Sequence, residues 1–148
     1  MRTPDCPKRD LAKRWALPDR VFFACGACHI LAFAFLERYA RPEMKAVWIR
    51  PTPGMTGNHV FVAFGERVFD YHGYARRGAY LAHYFARVRQ RYSGWDATLV
   101  ELPADVLVSE PKSRTYDGLW LREPRQFLRD ALPRARAFLD RFPPLDAV

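Results

Sequence analysis

Long apolar segments are absent from this chain of 148 residues. The run Ile30-Leu31-Ala32-Phe33-Ala34-Phe35-Leu36 falls well short of the roughly 20 residues that a membrane-crossing helix needs. The first ten residues hold no apolar h-region, so no export signal is read there and the expected location is the cytoplasm. Cysteine is scarce, three residues in all. An odd number without an export signal favours reduced thiols, a metal or a catalytic role over a disulfide framework. Repeats, low-complexity tracts and interdomain linkers are missing too, which leaves one α+β domain over residues 1–148. Acidic residues are outnumbered, 16 against 24 Lys and Arg, for a net charge of +8. A basic face is the footprint of phosphate binding, yet here the cations, mostly Arg, are scattered among Asp and Glu and form no tail. They read as a solvated basic surface that would steer an anionic substrate inward, with nucleic acid the less favoured partner.

What the chain does have is Cys25-Gly26-Ala27-Cys28-His29, set directly before the apolar run. Residues 30–36 are apolar on every face, the pattern of a helix buried all round. A thiol in the first turn of such a helix meets unpaired N–H groups and the positive end of the macrodipole, both of which stabilise a thiolate. Gly26 permits the sharp entry turn, and Arg41-Pro42 ends the helix. Cys28 is the preferred nucleophile because the residues directly after it are the helix; Cys25 is the alternative.

Elsewhere the patterns place a short outer helix over residues 10–17, stopped by Pro18, and a brief apolar run, residues 21–24, that feeds the key helix. A strand over residues 45–50 precedes a loop, residues 51–57, that carries two prolines and two glycines. Residues 58–64 and 67–72 form a β-hairpin around Gly65-Glu66. A helix over residues 76–92 turns Tyr80, Leu81, Tyr84, Phe85 and Val88 inward. A strand follows over residues 98–102, then a short strand near 106–108. Last comes a helix over residues 124–142, with Phe127, Leu128, Leu132, Ala135, Phe138 and Leu139 inward, which Pro133 bends or splits.

The hairpin carries a geometric inference. If Gly65 and Glu66 alone form the turn, Phe64 faces Arg67, Phe61 faces Asp70 and His59 faces His72. His59, Phe61 and Ala63 then share a face with Val68, Asp70 and His72, and Val60, Val62, Phe64 and Phe69 form the opposite, apolar face. His59 and Asp70 become diagonal neighbours about 7 Å apart at the backbone, within reach of a hydrogen bond. A cysteine nucleophile needs a proton acceptor, and that imidazole needs a third group to fix its tautomer. Cys28, His59 and Asp70 supply the three parts, with the Cys28 N–H as a donor to an oxyanion. Tyr71, His72 and Trp48 are candidate cleft residues, and Cys6, His29 and His83 are read as packing residues.

The order Gly26-x-Cys28 opening an apolar helix, a strand beginning His59-Val60-Phe61-Val62, then a strand ending in Asp70 followed by Gly73, resembles the transglutaminase-like branch of the papain-fold cysteine enzymes. The likeness covers residues 21–73. It implies an α+β, papain-like core in which a buried nucleophile helix packs on a small antiparallel sheet. Cys28 would be the nucleophile, His59 the general base and Asp70 the orienting carboxylate. The implied activity is acyl transfer of the protease, amidase, deamidase or transglutaminase type on a protein, peptide or small amide, with no cofactor. Two departures stand out. Ala27 replaces the aromatic residue that usually precedes the nucleophile, and only a two-residue turn lies within the His59 to Asp70 interval.

Rival chemistries use the same residues. Cys25 and Cys28 have the C-x-x-C spacing of a thiol–disulfide redox pair, although few residues precede the motif and no proline opens the His59 strand. Cys25, Cys28, His59 and His72 form an imaginable zinc set, without the second C-x-x-C or H-x-x-x-H that would specify one. Cys25 to His29 also has the letters of a covalent haem site, a chemistry of exported proteins. A non-catalytic basic binding module is the remaining alternative.

Overall fold

In the computed structural model, which describes residues 6–148, the apolar run folds as the helix α3, Cys28–Tyr39. Residues 1–5, part of the stretch read for an export signal, lie outside the described residues. Two short helices precede it, α1 (Leu11–Trp15) and α2 (Asp19–Ala24), the second formed by the apolar run that feeds the key helix. Strands β1 (Lys45–Pro51), β2 (His59–Phe64), β3 (Arg67–Asp70) and β4 (Gly73–Arg76) follow, then α4 (Arg77–Arg91) and β5 (Ala97–Leu102). The chain closes with α5 (Glu110–Ser113) and α6 (Ala131–Leu139). The described strands form one antiparallel sheet in the order β4-β3-β2-β1-β5. Among the described residues no helix is long and apolar enough to cross a membrane.

The alternation of β2 and β3 divides the core into two layers. Phe64 pairs with Arg67, Ala63 with Val68 and Val62 with Phe69, the register that a two-residue Gly65-Glu66 turn dictates. Val60, Val62 and Phe69 face the α3 side, whereas Phe61, Ala63 and Val68 face the inward stripe of α4, Tyr80, Leu81, Tyr84, Phe85 and Val88. Phe35 of α3 stacks on Phe69 with ring centroids 4.4 Å apart. On its other flank α3 is covered by α6, where Arg136 forks onto both carboxylate oxygens of Glu37 at 2.9 and 3.1 Å.

Several expectations are corrected. The strand expected over residues 67–72 ends at Asp70, because Tyr71 and His72 form a second tight turn into β4 and Asp70 pairs with Gly73. His72 therefore does not face His59. Four-residue β4 has too few alternations to show as a pattern, and its last residue, Arg76, is strand rather than the first residue of the helix, which begins at Arg77. The strand expected near residues 106–108 is a 3-10 turn, Ala104–Val108. The helix expected over residues 124–142 is only α6. Phe127 is extended, Asp130 caps the helix through the Leu132 N–H, and Pro133 sits in the first turn, where its missing N–H costs nothing. Leu128, expected inward, is 49% exposed in the break before α6.

Removing the ring that joins α3 to the sheet tests this packing. Phe35→Ala is expected to lower stability by about 3–5 kcal/mol, read from the urea midpoint. Leu128→Ala should move it by less than about 0.5 kcal/mol.

Candidate active site

The turn before α3 sets the position of Cys28, its first residue. Gly26 adopts φ +74°, and a Cβ there would lie 2.5 Å from the Arg14 guanidinium, so both conformation and space demand glycine. Arg14, buried over the Phe127 ring, donates to the Cys25 carbonyl at 2.6 Å. Burial and the nearby Arg122 charge lower its pKa to about 10, which leaves it cationic at neutral pH. The short helix read as outer packing thus supplies a brace for the turn that presents the thiol.

Cys25 is not a free thiol. A disulfide joins it to Cys6, with Cα atoms 5.6 Å apart, and Cys28 is the free cysteine. This corrects the expectation of reduced thiols, the role of Cys6 as mere packing, and Cys25 as the alternative nucleophile. The reason is chain path: the N-terminal segment runs back to the turn between α2 and α3, a long-range placement no local pattern displays. With the Cys25 sulfur bonded to Cys6, the Cys25/Cys28 dithiol and the Cys25-dependent haem and zinc sets lose that atom. Among the described residues no group of three or more His, Cys, Asp or Glu side chains could hold a metal ion.

His59, the first residue of β2, is buried and held from several directions. Its ring stacks on Tyr84 at 5.6 Å and meets the edge of Tyr71 at 5.5 Å. The loop leading into it is pinned by donors, Trp95 Nε1 to the Thr56 carbonyl at 2.7 Å and the Tyr84 hydroxyl to the Gly57 carbonyl at 2.6 Å. His59 Nε2 lies 3.0 Å from Asp70 Oδ2. A carboxylate only accepts, so Nε2 carries the proton and Nδ1 is the nitrogen left to face the thiol, with which the ring is hydrogen-bonded.

Asp70 is buried, and its carboxylate accepts two further hydrogen bonds, from the Tyr80 hydroxyl at 2.7 Å and the His72 N–H at 2.8 Å. Burial favours its protonated form, but the hydrogen bonds from His59, His72 and Tyr80 and the His59 charge outweigh that and hold its pKa well below the usual carboxylate range. Burial likewise raises the Cys28 thiol, yet the His59 charge and hydrogen bonds from His29 and His59 bring it down to about 5. For His59 burial acts against the cation, and the Cys28 and Asp70 charges reverse it, raising the imidazole to about 10. Between those limits the pair rests as thiolate and imidazolium.

The structure therefore brings Cys28, His59 and Asp70 together. It adds residues that sequence reasoning assigned to packing. His29 donates through Nε2 to the Arg122 carbonyl at 2.6 Å and hydrogen-bonds Cys28 as well; its place beside Cys28 in the helix start was the only signal. Tyr80 carried none beyond the inward stripe of α4. Burial and the Asp70 charge raise its pKa well above the ordinary value, which keeps the hydroxyl a neutral donor. Two clefts adjoin along Asn58 and His59: one of about 330 Å³ lined by Tyr71, His72, His83 and Tyr84, the other of about 450 Å³ lined by Cys28, Trp48 and Trp120. Tyr71, His72 and Trp48 thus line clefts as expected, and His83 does so instead of packing.

No protein-family model, no curated protein and no solved structure matches this chain.

Iodoacetamide labelling read by mass spectrometry checks the geometry. Without reductant Cys28 alone should react, at a rate that titrates near pH 5 rather than the about 8.5 of an ordinary thiol. His59→Ala removes that cation and leaves His29 alone to oppose burial, so the midpoint should rise toward about 8.5 and the rate at pH 6.5 fall at least about tenfold.

Proposed function

We propose that this protein is a cysteine-dependent acyl-transfer enzyme with a transglutaminase-like, papain-type core. The observation that carries the reading is the hydrogen-bonded chain from the free Cys28, at the N-terminus of α3, through His59 to Asp70. Its substrate class is a protein, peptide or small amide, and no cofactor takes part. The α3 helix on an antiparallel sheet, with the thiol at the helix start and the imidazole and carboxylate on adjacent strands, supports the resemblance drawn from the sequence.

The thiolate of Cys28 attacks the carbonyl carbon, and the carbonyl π electrons move to oxygen, where the Cys28 N–H donates to the oxyanion. The His59 imidazolium gives its Nδ1 proton to the leaving amine as the C–N bond breaks, leaving a thioester. Water or an amine then attacks the thioester while neutral His59 takes its proton. The thiolate departs and the resting pair is restored. Asp70, fixed by Tyr80 and the His72 N–H, keeps His59 in the one tautomer that serves both steps. The dithiol alternative has less support because Cys25 is bonded to Cys6.

An activated ester isolates the first half of this cycle. With p-nitrophenyl acetate the protein should release a burst of about one equivalent of p-nitrophenolate as a Cys28 thioester forms. Cys28→Ala should abolish the burst, and His59→Ala should slow it by about 10²–10⁴-fold at pH 6.5. A burst of unchanged size in Cys28→Ala would sink the reading.

A further inference from the structure

The charges around the two clefts point to what enters them. This inference rests on the acyl-transfer reading. Lys8 and Arg91 line both clefts, and Arg87 lines the one beside Tyr84. Among the described residues, the only carboxylate on either lining is that of Asp70, buried and committed to His59, Tyr80 and the His72 N–H. Many arginines elsewhere are matched by acids: Arg38 with Asp140, Arg89 with Asp96, Arg136 with Glu37, Arg141 with Asp19. Lys8 and Arg91 meet no carboxylate among the described residues, and Arg91 rests over the ring of Tyr92. The cleft is therefore cationic by arrangement of its own walls, beyond the basic character of the whole chain.

The form of the space narrows the ligand. Two clefts that meet at His59 leave room on more than one side of a carbonyl at Cys28, as a chain-like donor requires. Trp120, 63% exposed, offers an aromatic face on the wall of the Cys28 cleft. We propose that the acyl donor is an acidic peptide segment, whose carboxylates near the reacting carbonyl are received by Lys8 and Arg91. Lys8 reaches the cleft because the Cys6–Cys25 disulfide anchors the N-terminal segment beside it. A cation on each lining raises the local concentration of an anion and slows its departure, and salt weakens both effects.

Two alkylating agents that share a reacting carbon and leaving group but differ in charge, iodoacetate and iodoacetamide, test this on the full chain with its disulfide intact. Each forms a bond from the Cys28 sulfur to the methylene carbon as iodide leaves. The ratio of their rates at Cys28, iodoacetate over iodoacetamide at pH 7 and low salt, should fall about tenfold in Lys8→Gln/Arg91→Gln. Arg91→Gln alone should give about half the logarithmic effect, and 0.5 M salt should reproduce most of it in the parent. Peptidyl vinyl sulfones carrying Glu should label Cys28 faster than those carrying Lys, with the preference lost in the double variant. A ratio unchanged by the substitutions, or a preference for the Lys peptide, overturns the acidic-peptide assignment while fast, His59-dependent iodoacetamide labelling leaves the acyl-transfer reading standing. Labelling of the parent by iodoacetamide that is slow and independent of His59 defeats that reading instead.

Discussion

A helix that is apolar on every side must be covered on every side, and this requirement on α3 organises the structure around it. The sheet face of Val60, Val62 and Phe69 covers one flank, and α2 and α6 supply others. Once α3 is seated, its N-terminus has one place to be, at the end of the sheet where β2 starts. Cys28 comes from the α3 layer, whereas the His59 ring lies among the tyrosines of the opposite layer. They meet because His59 is the first residue of β2, where that strand begins. Burial of a helix thus becomes a relation between the Cys28 and His59 side chains.

That relation is held against a large opposing effect. Desolvation acts against the charged form of Cys28, of His59 and of Asp70 alike, and an unpaired buried ion costs several kcal/mol. No one of the three would stay charged alone. Alternation of sign along the chain, thiolate then imidazolium then carboxylate, makes each charge the compensation for its neighbour. Neutral donors finish the work at the carboxylate end, where Tyr80 and the His72 N–H take up the remaining capacity of Asp70. The turn at Tyr71 and His72 that cut β3 short is what aims that N–H at Asp70, so the departure from the expected strand serves the site.

Local periodicity made a good part of this arrangement legible in the sequence. The start of α3 at Cys28, the Gly65-Glu66 turn, the two faces of the hairpin and the His59 to Asp70 diagonal follow from spacings of a few residues, and the structure reproduces them. What escaped depends on distant neighbours. Arg14 lies in the helix read as outer packing, and nothing nearby in the chain shows Phe127 and Cys25 closing over it. Tyr80 met the rule for an inward apolar position, and only the tertiary fold brings its hydroxyl to Asp70. The C-terminal apolar pattern ran through residues 124–142, but an extended Phe127 and the Asp130 cap interrupt it. Pattern counts hydrophobic residues without knowing which backbone groups the neighbours will satisfy.

The disulfide shows the same limit in chemical form. C-x-x-C invites a bond within the motif, yet Cys25 pairs with Cys6, 19 residues away, and Cys28 is left as the free thiol. The segment so closed contains α1 and α2, of five and six residues, far below the roughly 12 that an isolated helix needs to persist in water. Closing a loop of that length contributes about 3 kcal/mol by restricting the unfolded chain. Arg134 of α6 adds a second tie, donating to the Trp15 and Leu17 carbonyls at 2.7 Å and to Asp19 at 2.8 Å while its guanidinium lies 4.1 Å above the Phe22 ring. Both ties act on the segment that sets the Cys25-Gly26 turn, and hence on where α3 begins. A cysteine whose sulfur is already bonded therefore helps decide where the free one stands.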